Sequence, residues 1–486
     1  MSSQPVIPPV VVVGAGPVGT TAALLLARRG LPVLLLDRQP RPYGLPRAVH
    51  LDDEALRVLA DAGVVEAFLE VSRPMAGLRL LDARHRTLAE FRRAGDAGRH
   101  GWPQASMFHQ PDLERLLRAA VRDTPGVELR GGEEVVGLAE ADRSVTVTVL
   151  ERATGRRRDV VASAVLGCDG ANSTVRGLVG ARMRDLGRPD RWLVVDLRAR
   201  VPLPVWPGVH QVCDPDRAAT FMPVSGDRYR FEARLRPGET AADLTGAALP
   251  ALLAPFGAQD AEVVRAAEYV YRAQVADRWR RGRVLLAGDA AHLTPPFVGQ
   301  GLGLGLRDVH QLSWKVAAVV TGAAGEELLD THRAEREPHA RALVRLAAVV
   351  GRLMTGGGAG AVPVRRAVLA AVAGVPALAA YATDSRTPAL RAGPLVERRG
   401  PAGRRLAGTL VPRARVRAGG RECRLDDVLG AGTAVVALAA PGRVAVTAAG
   451  RRAELDDVDG ALTAWLRAGR ARFAVVRPDR VVRAAG

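Results

Sequence analysis

The sequence predicts an α/β chain: a Rossmann-like dinucleotide-binding domain, an antiparallel sheet inserted into it, and a separate C-terminal unit. Three observations predict this class. A short apolar run, a Gly-x-Gly-x-x-Gly turn and a helical pattern follow one another within residues 10–29. Two later apolar runs end in Asp169-Gly170 and Gly288-Asp289. Between those two lies a block of short alternating segments, about 183–276.

Val10-Val-Val-Val13 reads as a buried first strand, and Thr20 to Arg29 as the helix after the turn. Each glycine of the turn has a purpose. Gly14 permits the tight turn, Gly16 lets backbone approach a pyrophosphate, and Gly19 lets helix pack closely on strand. The helix N-terminus then offers free N–H groups to negative charge. A second strand, Val33 to Leu36, ends in Asp37, eighteen residues beyond Gly19, where a carboxylate can accept ribose hydroxyls; Arg38 beside it is expected to contact the same cofactor. The fingerprint alone leaves FAD and NAD open.

Within Met75–Gly101, Leu78 to Leu81 and Leu88 to Phe91 read as inserted strands. The larger insertion has strand-like runs at Trp192–Val201, His210–Cys213, Ala219–Val224 and Tyr229–Arg236. These are expected to form a sheet roofing a substrate pocket, with Met222 and Phe231 as candidate lining residues, joined by Phe297. Alternation by itself equally predicts that Met222 and Phe231 are sheet core. After Ala334 the chain reads as helical to about Tyr381, and the Pro/Gly/Arg-rich stretch Thr387–Arg405 marks a boundary. The tail carries strands at Ala434–Leu438, Arg443–Thr447 and Phe473–Val476, with a helix near Asp459–Arg467.

Composition narrows the function classes. The 486 residues carry a net charge of +18, almost all of it arginine, yet no basic block lies on one helix or interleaves with aromatics, so a nucleic-acid partner is not expected. Cys168, Cys213 and Cys423 form neither CxxC nor a Cys/His cluster, which excludes a disulfide framework and predicts no metal. A reducing, cytoplasmic setting fits. The N-terminus has no basic n-region, and the apolar segment Val364–Tyr381 is interrupted by Arg365, Arg366, Gly374 and Pro376, so no membrane span is expected.

Two longer segments decide between the dinucleotides. Ala164-Val-Leu-Gly-Cys-Asp169-Gly170-Ala-Asn-Ser173-Thr-Val-Arg176 delivers an aspartate and a glycine from a strand into a turn. Arg283-Val-Leu-Leu-Ala-Gly288-Asp289-Ala-Ala-His292-Leu-Thr-Pro295-Pro296-Phe-Val-Gly299-Gln300-Gly301-Leu302-Gly303 ends a strand in Asp289, stiffens the backbone with two prolines, and exposes N–H groups as a helix starts. Together they resemble the DG and GD motifs of the class A FAD-dependent aromatic hydroxylases, the flavoprotein monooxygenases. Leu45-Pro-Arg47-Ala-Val-His50-Leu-Asp-Asp-Glu, Phe108-His-Gln110-Pro-Asp and Leu328-Leu-Asp-Thr-His-Arg-Ala-Glu-Arg-Glu-Pro-His339 resemble the 3-(3-hydroxyphenyl)propionate hydroxylase branch. The resemblance is strong over roughly the first 345 residues. One departure is Gly303, where the family usually has a small polar residue.

The resemblance implies an FAD-binding domain of the p-hydroxybenzoate hydroxylase type over 1–74, 102–182 and 277–345. The substrate sheet would comprise 75–101 and 183–276, followed by a helical segment and linker over 346–405. A thioredoxin-like unit without CxxC would span 406–486. FAD contacts would come from Gly14, Gly16, Gly19, Asp37, Arg38, Arg47, Gln110, Asp169, Gly170, Arg176, Gly288, Asp289, Pro296, Gly299, Gly301, Leu302 and Gly303. NADPH or NADH would reduce the flavin from a surface groove, and O₂ would form a flavin hydroperoxide that hydroxylates a small aromatic substrate. Pro296 and His292 are the candidate catalytic residues, His292 as a substrate base among the four histidines 50, 109, 210 and 292. Homodimer formation stays open. So do a tailoring oxygenase acting by hydroxylation or Baeyer-Villiger insertion on a polyketide or antibiotic, and a non-catalytic flavin-binding module. A flavin halogenase is disfavoured because no WxWxIP signature is present.

Overall fold

The computed structural model describes residues 7–42, 44, 46–93, 98–356 and 387–486. The apolar segment Val364–Tyr381 therefore lies outside the described residues. Val10–Val13 sits between Ala164–Gly167 and Val33–Asp37 in parallel register, and all four valines are buried, as a strand covered on both faces requires. The sheet runs Arg280–Arg281, Val284–Leu286, Ala164–Gly167, Val10–Val13, Val33–Asp37, Val127–Gly131; only the first of these pairs antiparallel. Its carboxyl ends bring Gly14, Asp37 and Cys168-Asp169 to one edge, where ligands bind in open α/β sheets.

The fingerprint helix spans Pro17–Ala27, starting three residues earlier than the expected Thr20 because Pro17 occupies a first-turn position where no N–H is needed. It packs against the long helix Gly301–Val320, and glycine makes the crossing close: a Cβ on Gly305 would stand 2.7 Å from Val18.

The roof is a seven-stranded sheet in the order Glu262–Tyr271, Asp190–Arg198, Arg228–Arg234, Ala219–Pro223, Val209–Val212, Gly77–Leu81, Thr87–Arg92. The early hairpin thus joins the later block, pairing parallel through Leu78 and Val209. Strand Glu262–Tyr271, absent from the expectation, forms its edge. The roof also corrects one expectation. Phe231 faces away from the cavity, into a second apolar cluster with Leu193, Val195, Leu253 and Phe256, because Arg230 and Glu232 on either side of it take the cavity face. Met222 lies on the cavity side.

A further three-stranded antiparallel sheet, Glu133–Ala141, Ser144–Glu151 and Arg157–Ala162, covers the first sheet through Val135, Val145, Val147 and Val149. Helix Glu327–Thr355 packs along Gly301–Val320. The C-terminal unit is a seven-stranded sheet: Arg421–Arg424, Arg415–Ala418, Arg451–Asp457, Arg443–Ala448, Ala434–Leu438, Phe473–Val476, Val482–Ala485. Every pairing in it among the described residues is antiparallel, so no parallel βαβ crossover of the thioredoxin kind joins its strands. It docks on the first domain through buried ions. Arg57 pairs with Asp426 and donates to Val411 O at 2.6 Å, while Lys315 and Arg477 flank Glu335 at 2.8 and 2.7 Å. No described helix is long and apolar enough to cross a membrane, and no metal-holding cluster of His, Cys, Asp or Glu occurs among the described residues.

Candidate functional site

One cavity of about 1700 Å³ runs from the fingerprint turn, past the Asp289 turn, to the underside of the roof. At its dinucleotide end Gly14 has φ +100°, and a Cβ there would lie 2.5 Å from Cys168 O. Gly19 is equally constrained, with Gly14 O at 1.8 Å from the position of its missing Cβ. Gly16 differs. Nothing lies within 4 Å of its Cβ position, so it borders open space in the cavity. Asp37 braces this turn by accepting from Ala15 N at 2.7 Å and Gln39 N at 2.8 Å, which leaves lone pairs for hydroxyls. Arg38, Asp37, Arg47 and Gln110 all line the cavity. Gln110 shapes the strap that carries Arg47: its Oε1 accepts from Arg47 N at 3.0 Å and Ala48 N at 2.7 Å.

The two distant motifs meet here. Asp169 accepts from Ser173 Oγ and Val175 N, fixing the turn through Gly170, and Ser173 caps the short helix by accepting from Arg176 N. Arg176 then ties this turn to the next one, donating to Ala290 O at 3.2 Å. Asp289 lines the cavity, and its carboxylate accepts no hydrogen bond from any described residue; burial pushes its pKa up, with His292 and Arg47 opposing. Pro296–Val298 forms a 3₁₀ turn, Gly299 takes φ +63°, and helix Gly301–Val320 presents its N-terminus to the cavity through Gly301 and Leu302.

Besides Gly19 and Phe231, three more expected residues stand behind the wall. Gly288 and Gly303 do not line the cavity: Gly288 N donates to Asp308 Oδ2, and a Cβ on Gly303 would meet the Arg307 guanidinium at 2.8 Å. Glycine at 303 thus makes room for Arg307, which binds Asp52 and Gln300 at 2.6 and 3.0 Å. His292 is the third, and here the structure corrects the expectation of a substrate base. Its side chain is fully buried, outside the cavity wall, and its Nε2 meets Asp308 Oδ2 at 2.7 Å, because pairing of strand His292–Leu293 with Gln274–Ala276 turns the ring inward. Burial alone would raise the Asp308 carboxyl; His292 and Arg336 outweigh it and hold it well below the usual range. Pro296 offers no donor and shapes the turn.

His50, another of the four candidate histidines, sits in the wall with Nδ1 3.2 Å from Gly299 O; burial, reinforced by Arg93, lowers its pKa to about 4, so it is neutral near pH 7. On the roof side the wall contains Trp192, Gln211, Thr220, Met222, Arg230, Glu232 and Tyr271, of which only Met222 was foreseen. Trp192 joins Tyr271 and Phe297 in an aromatic group with centroids 5.9 and 5.8 Å away.

The wall fits FAD. An open backbone cradle at Gly16, a braced carboxylate at Asp37 and a half-buried carboxylate at Asp289 facing the cavity suit a pyrophosphate, a ribose and a polyhydroxyl chain respectively. Residues 8–347 match the family described as FAD binding domain. The chain belongs to that family. FAD is therefore its cofactor, and a nicotinamide cosubstrate and O₂ complete the set for a monooxygenase. Among similar proteins, the "3-(3-hydroxy-phenyl)propionate/3-hydroxycinnamic acid hydroxylase" of Mycobacterium sp. (strain JLS) is 37% identical over 435 residues, 88% of this chain and 75% of its own. The "Probable NADH-specific resorcinol 4-hydroxylase" of Rhodococcus jostii (strain RHA1) is 35% identical over 441 residues, covering 88% and 78%. A crystal structure of aklavinone-11 hydroxylase with FAD and aklavinone matches with TM-score 0.78 and 25% identity, over 100% of this chain and 96% of that one.

Proposed function

We propose that this flavoprotein monooxygenase uses NADH or NADPH and O₂ to hydroxylate a small phenolic substrate held between the flavin-binding turns and the roof sheet. The observation that carries the reading is the continuity of the cavity: the wall that fits FAD runs without a break into the Trp192, Thr220, Met222 and Phe297 surface. The names of the two curated relatives, both hydroxylases of phenolic compounds, support the substrate class.

FAD, when bound, supplies the redox and oxygen-transfer chemistry. The chain's own residues do the rest. Gly14, Gly16 and the N-terminus of Pro17–Ala27 receive the pyrophosphate, Asp37 the adenosine ribose, and Asp289 the ribityl hydroxyls. Gly299, Gly301 and Leu302 line the cavity, and their amides would hold the flavin edge where negative charge collects on reduction. The roof excludes water and lays a flat ring against Trp192 and Phe297.

A larger, multi-ring substrate is the second reading. It is favoured by the apolar row Leu343, Leu346, Val350, Leu353 and Met354 along one helix at the cavity wall, where Leu353 is 54% exposed. A cytoplasmic setting is supported by the wide spacing of Cys168, Cys213 and Cys423, which form no CxxC motif. For the C-terminal unit, an antiparallel sheet without CxxC, the buried ion pairs to the first domain support a non-redox, structural role.

The test is a visible absorption spectrum of purified protein, then anaerobic reduction by NADH and by NADPH with and without 3-(3-hydroxyphenyl)propionate or resorcinol. Acceleration by either phenol supports the first reading. Equal, slow reduction in all cases moves the substrate to the larger class, and a protein that takes up no FAD overturns both.

A further inference from the structure

The roof carries a carboxylate that cofactor binding does not use. Glu232 lies mid-strand in Arg228–Arg234, opposite Val194 on one neighbour and Thr220 on the other, and is 6% exposed with its side chain in the cavity wall. Carboxylates are rarely buried unless paired. The cation on the same strand forms only a long ion pair with it and no hydrogen bond. Arg230 is held by Asp196 Oδ1 at 2.8 Å, Arg47 O at 2.6 Å and Pro46 O at 2.9 Å, and its Nη1 stands 4.0 Å from Glu232 Oε1, outside hydrogen-bond reach. One described donor reaches Glu232: Tyr271 Oη, 3.2 Å from Oε2. Oε1 is left for a donor that enters the cavity.

We propose that Glu232, oriented by Tyr271, receives the hydroxyl hydrogen of the substrate, first as a hydrogen-bond acceptor and then as the base that takes the proton when the ring is hydroxylated. The assignment rests on the hydroxylase reading above. In the step, the phenolic O–H bond breaks and an O–H bond forms on the Glu232 carboxylate. The electron pair stays on the phenolic oxygen and raises electron density at the ring carbon that is attacked. Glu232 is the catalytic residue and Tyr271 a positioning residue.

The charged and titratable groups around the carboxylate are Arg230 on its own strand, Asp196 on the neighbouring strand, Tyr271 and Arg265 on the edge strand, and Arg47 from the strap. Burial raises the Glu232 pKa while Arg230 and Tyr271 oppose, which moves the base toward the operating pH where proton acceptance is most effective. Burial also pushes the Tyr271 hydroxyl well above its usual range, so it remains a donor.

The experiment compares FAD-loaded wild type, Glu232→Gln and Tyr271→Phe in hydroxylation of resorcinol and of 3-(3-hydroxyphenyl)propionate, with kcat/KM measured from pH 5.5 to about 10. Glu232→Gln should lose about 10²–10⁴-fold near pH 7 and recover as pH rises toward the phenol's own ionisation. Tyr271→Phe removes a hydrogen bond to the ionised carboxylate, so its acid limb should move to higher pH. A Glu232→Gln profile parallel to wild type, whatever its height, or an unmoved acid limb in Tyr271→Phe, overturns the assignment and leaves the hydroxylase reading standing. A wild type that binds FAD and hydroxylates neither phenol overturns that reading and this assignment with it.

Discussion

Replacing Asp308 by asparagine is expected to destabilise the folded protein by about 3–5 kcal/mol, the range for breaking a buried charge pair. Asp308 is fully buried and accepts from Gly288 N at 3.0 Å, His292 Nε2 at 2.7 Å and Arg336 Nε at 2.8 Å. Asparagine preserves the shape but turns one acceptor into an amide donor, which must face either Arg336 or the Gly288–His292 pair. Three charge-assisted hydrogen bonds at about 1.5–3 kcal/mol each set an upper bound, and because they share one carboxylate they do not add in full. The assay is urea unfolding at saturating FAD, which holds the binding contribution fixed, read by tryptophan fluorescence. Trp279 lies 5.5 Å from the His292 ring and reports the region directly. The folded Asp308 pKa is depressed, so its contribution is present above the unfolded value of about 3.9 and is lost as pH falls further. Acid destabilisation should shrink in the variant. A loss below about 1 kcal/mol with unchanged denaturant slope would refute the view of Asp308 as the junction between the flavin turn and the two long helices.

Four other outcomes are expected. Alanine at His292 should lower stability but leave the pH profile of substrate-coupled NADH oxidation unshifted; a displaced acid limb would restore it as a base. Gly16→Ala should fold as wild type yet weaken FAD binding at least about tenfold, read by fluorescence titration, because its Cβ projects into the open cradle, whereas Gly19→Ala should fail to fold normally because its Cβ meets Gly14 O at 1.8 Å. Phe231→Ala should cost about 3–5 kcal/mol in the same urea assay with KM for the phenol unchanged, since the ring packs on the far face of the roof. His50 has a folded pKa of about 4 against 6.5 ordinarily, so between those values the unfolded chain binds more protons and stability falls as pH is lowered. His50→Gln should remove on the order of 3 kcal/mol of that acid-side loss in unfolding measured from pH 7 to pH 4.

The cofactor half of the site was legible because its chemistry lies within contiguous motifs. Gly14, Gly16 and Asp37 belong to one βαβ unit, and Asp289, Gly299 and Gly301 to one strand, turn and helix, so spacing alone brings them to the same sheet edge. The roof was far less legible. Glu232 and Tyr271 are 39 residues apart and meet only because strand Asp190–Arg198 pairs with both of theirs, a register set by long-range packing. Alternation marked Phe231 and Met222 as inward without saying which of two inward faces borders the cavity. Strand Glu262–Tyr271 escaped notice because its outer side carries Val263, Val264 and Val270, so no polar face opposes an apolar one. The strands of 133–162 were missed for a related reason: glutamate and arginine interrupt them at positions where one face meets solvent.

Arg230 is rooted in the roof yet spends its guanidinium on the strap, donating to Pro46 O and Arg47 O while Asp196 holds its Nε. One side chain therefore works as a locating pin between the roof sheet, proposed to select a substrate, and the strap at the dinucleotide end of the cavity. With that pin kept, the neighbouring positions Gln211, Thr220 and Met222 are free to be recombined for new substrates while the distance between ring and flavin is preserved. Divergence of substrate within such a fold then needs no rebuilding of the oxidative centre.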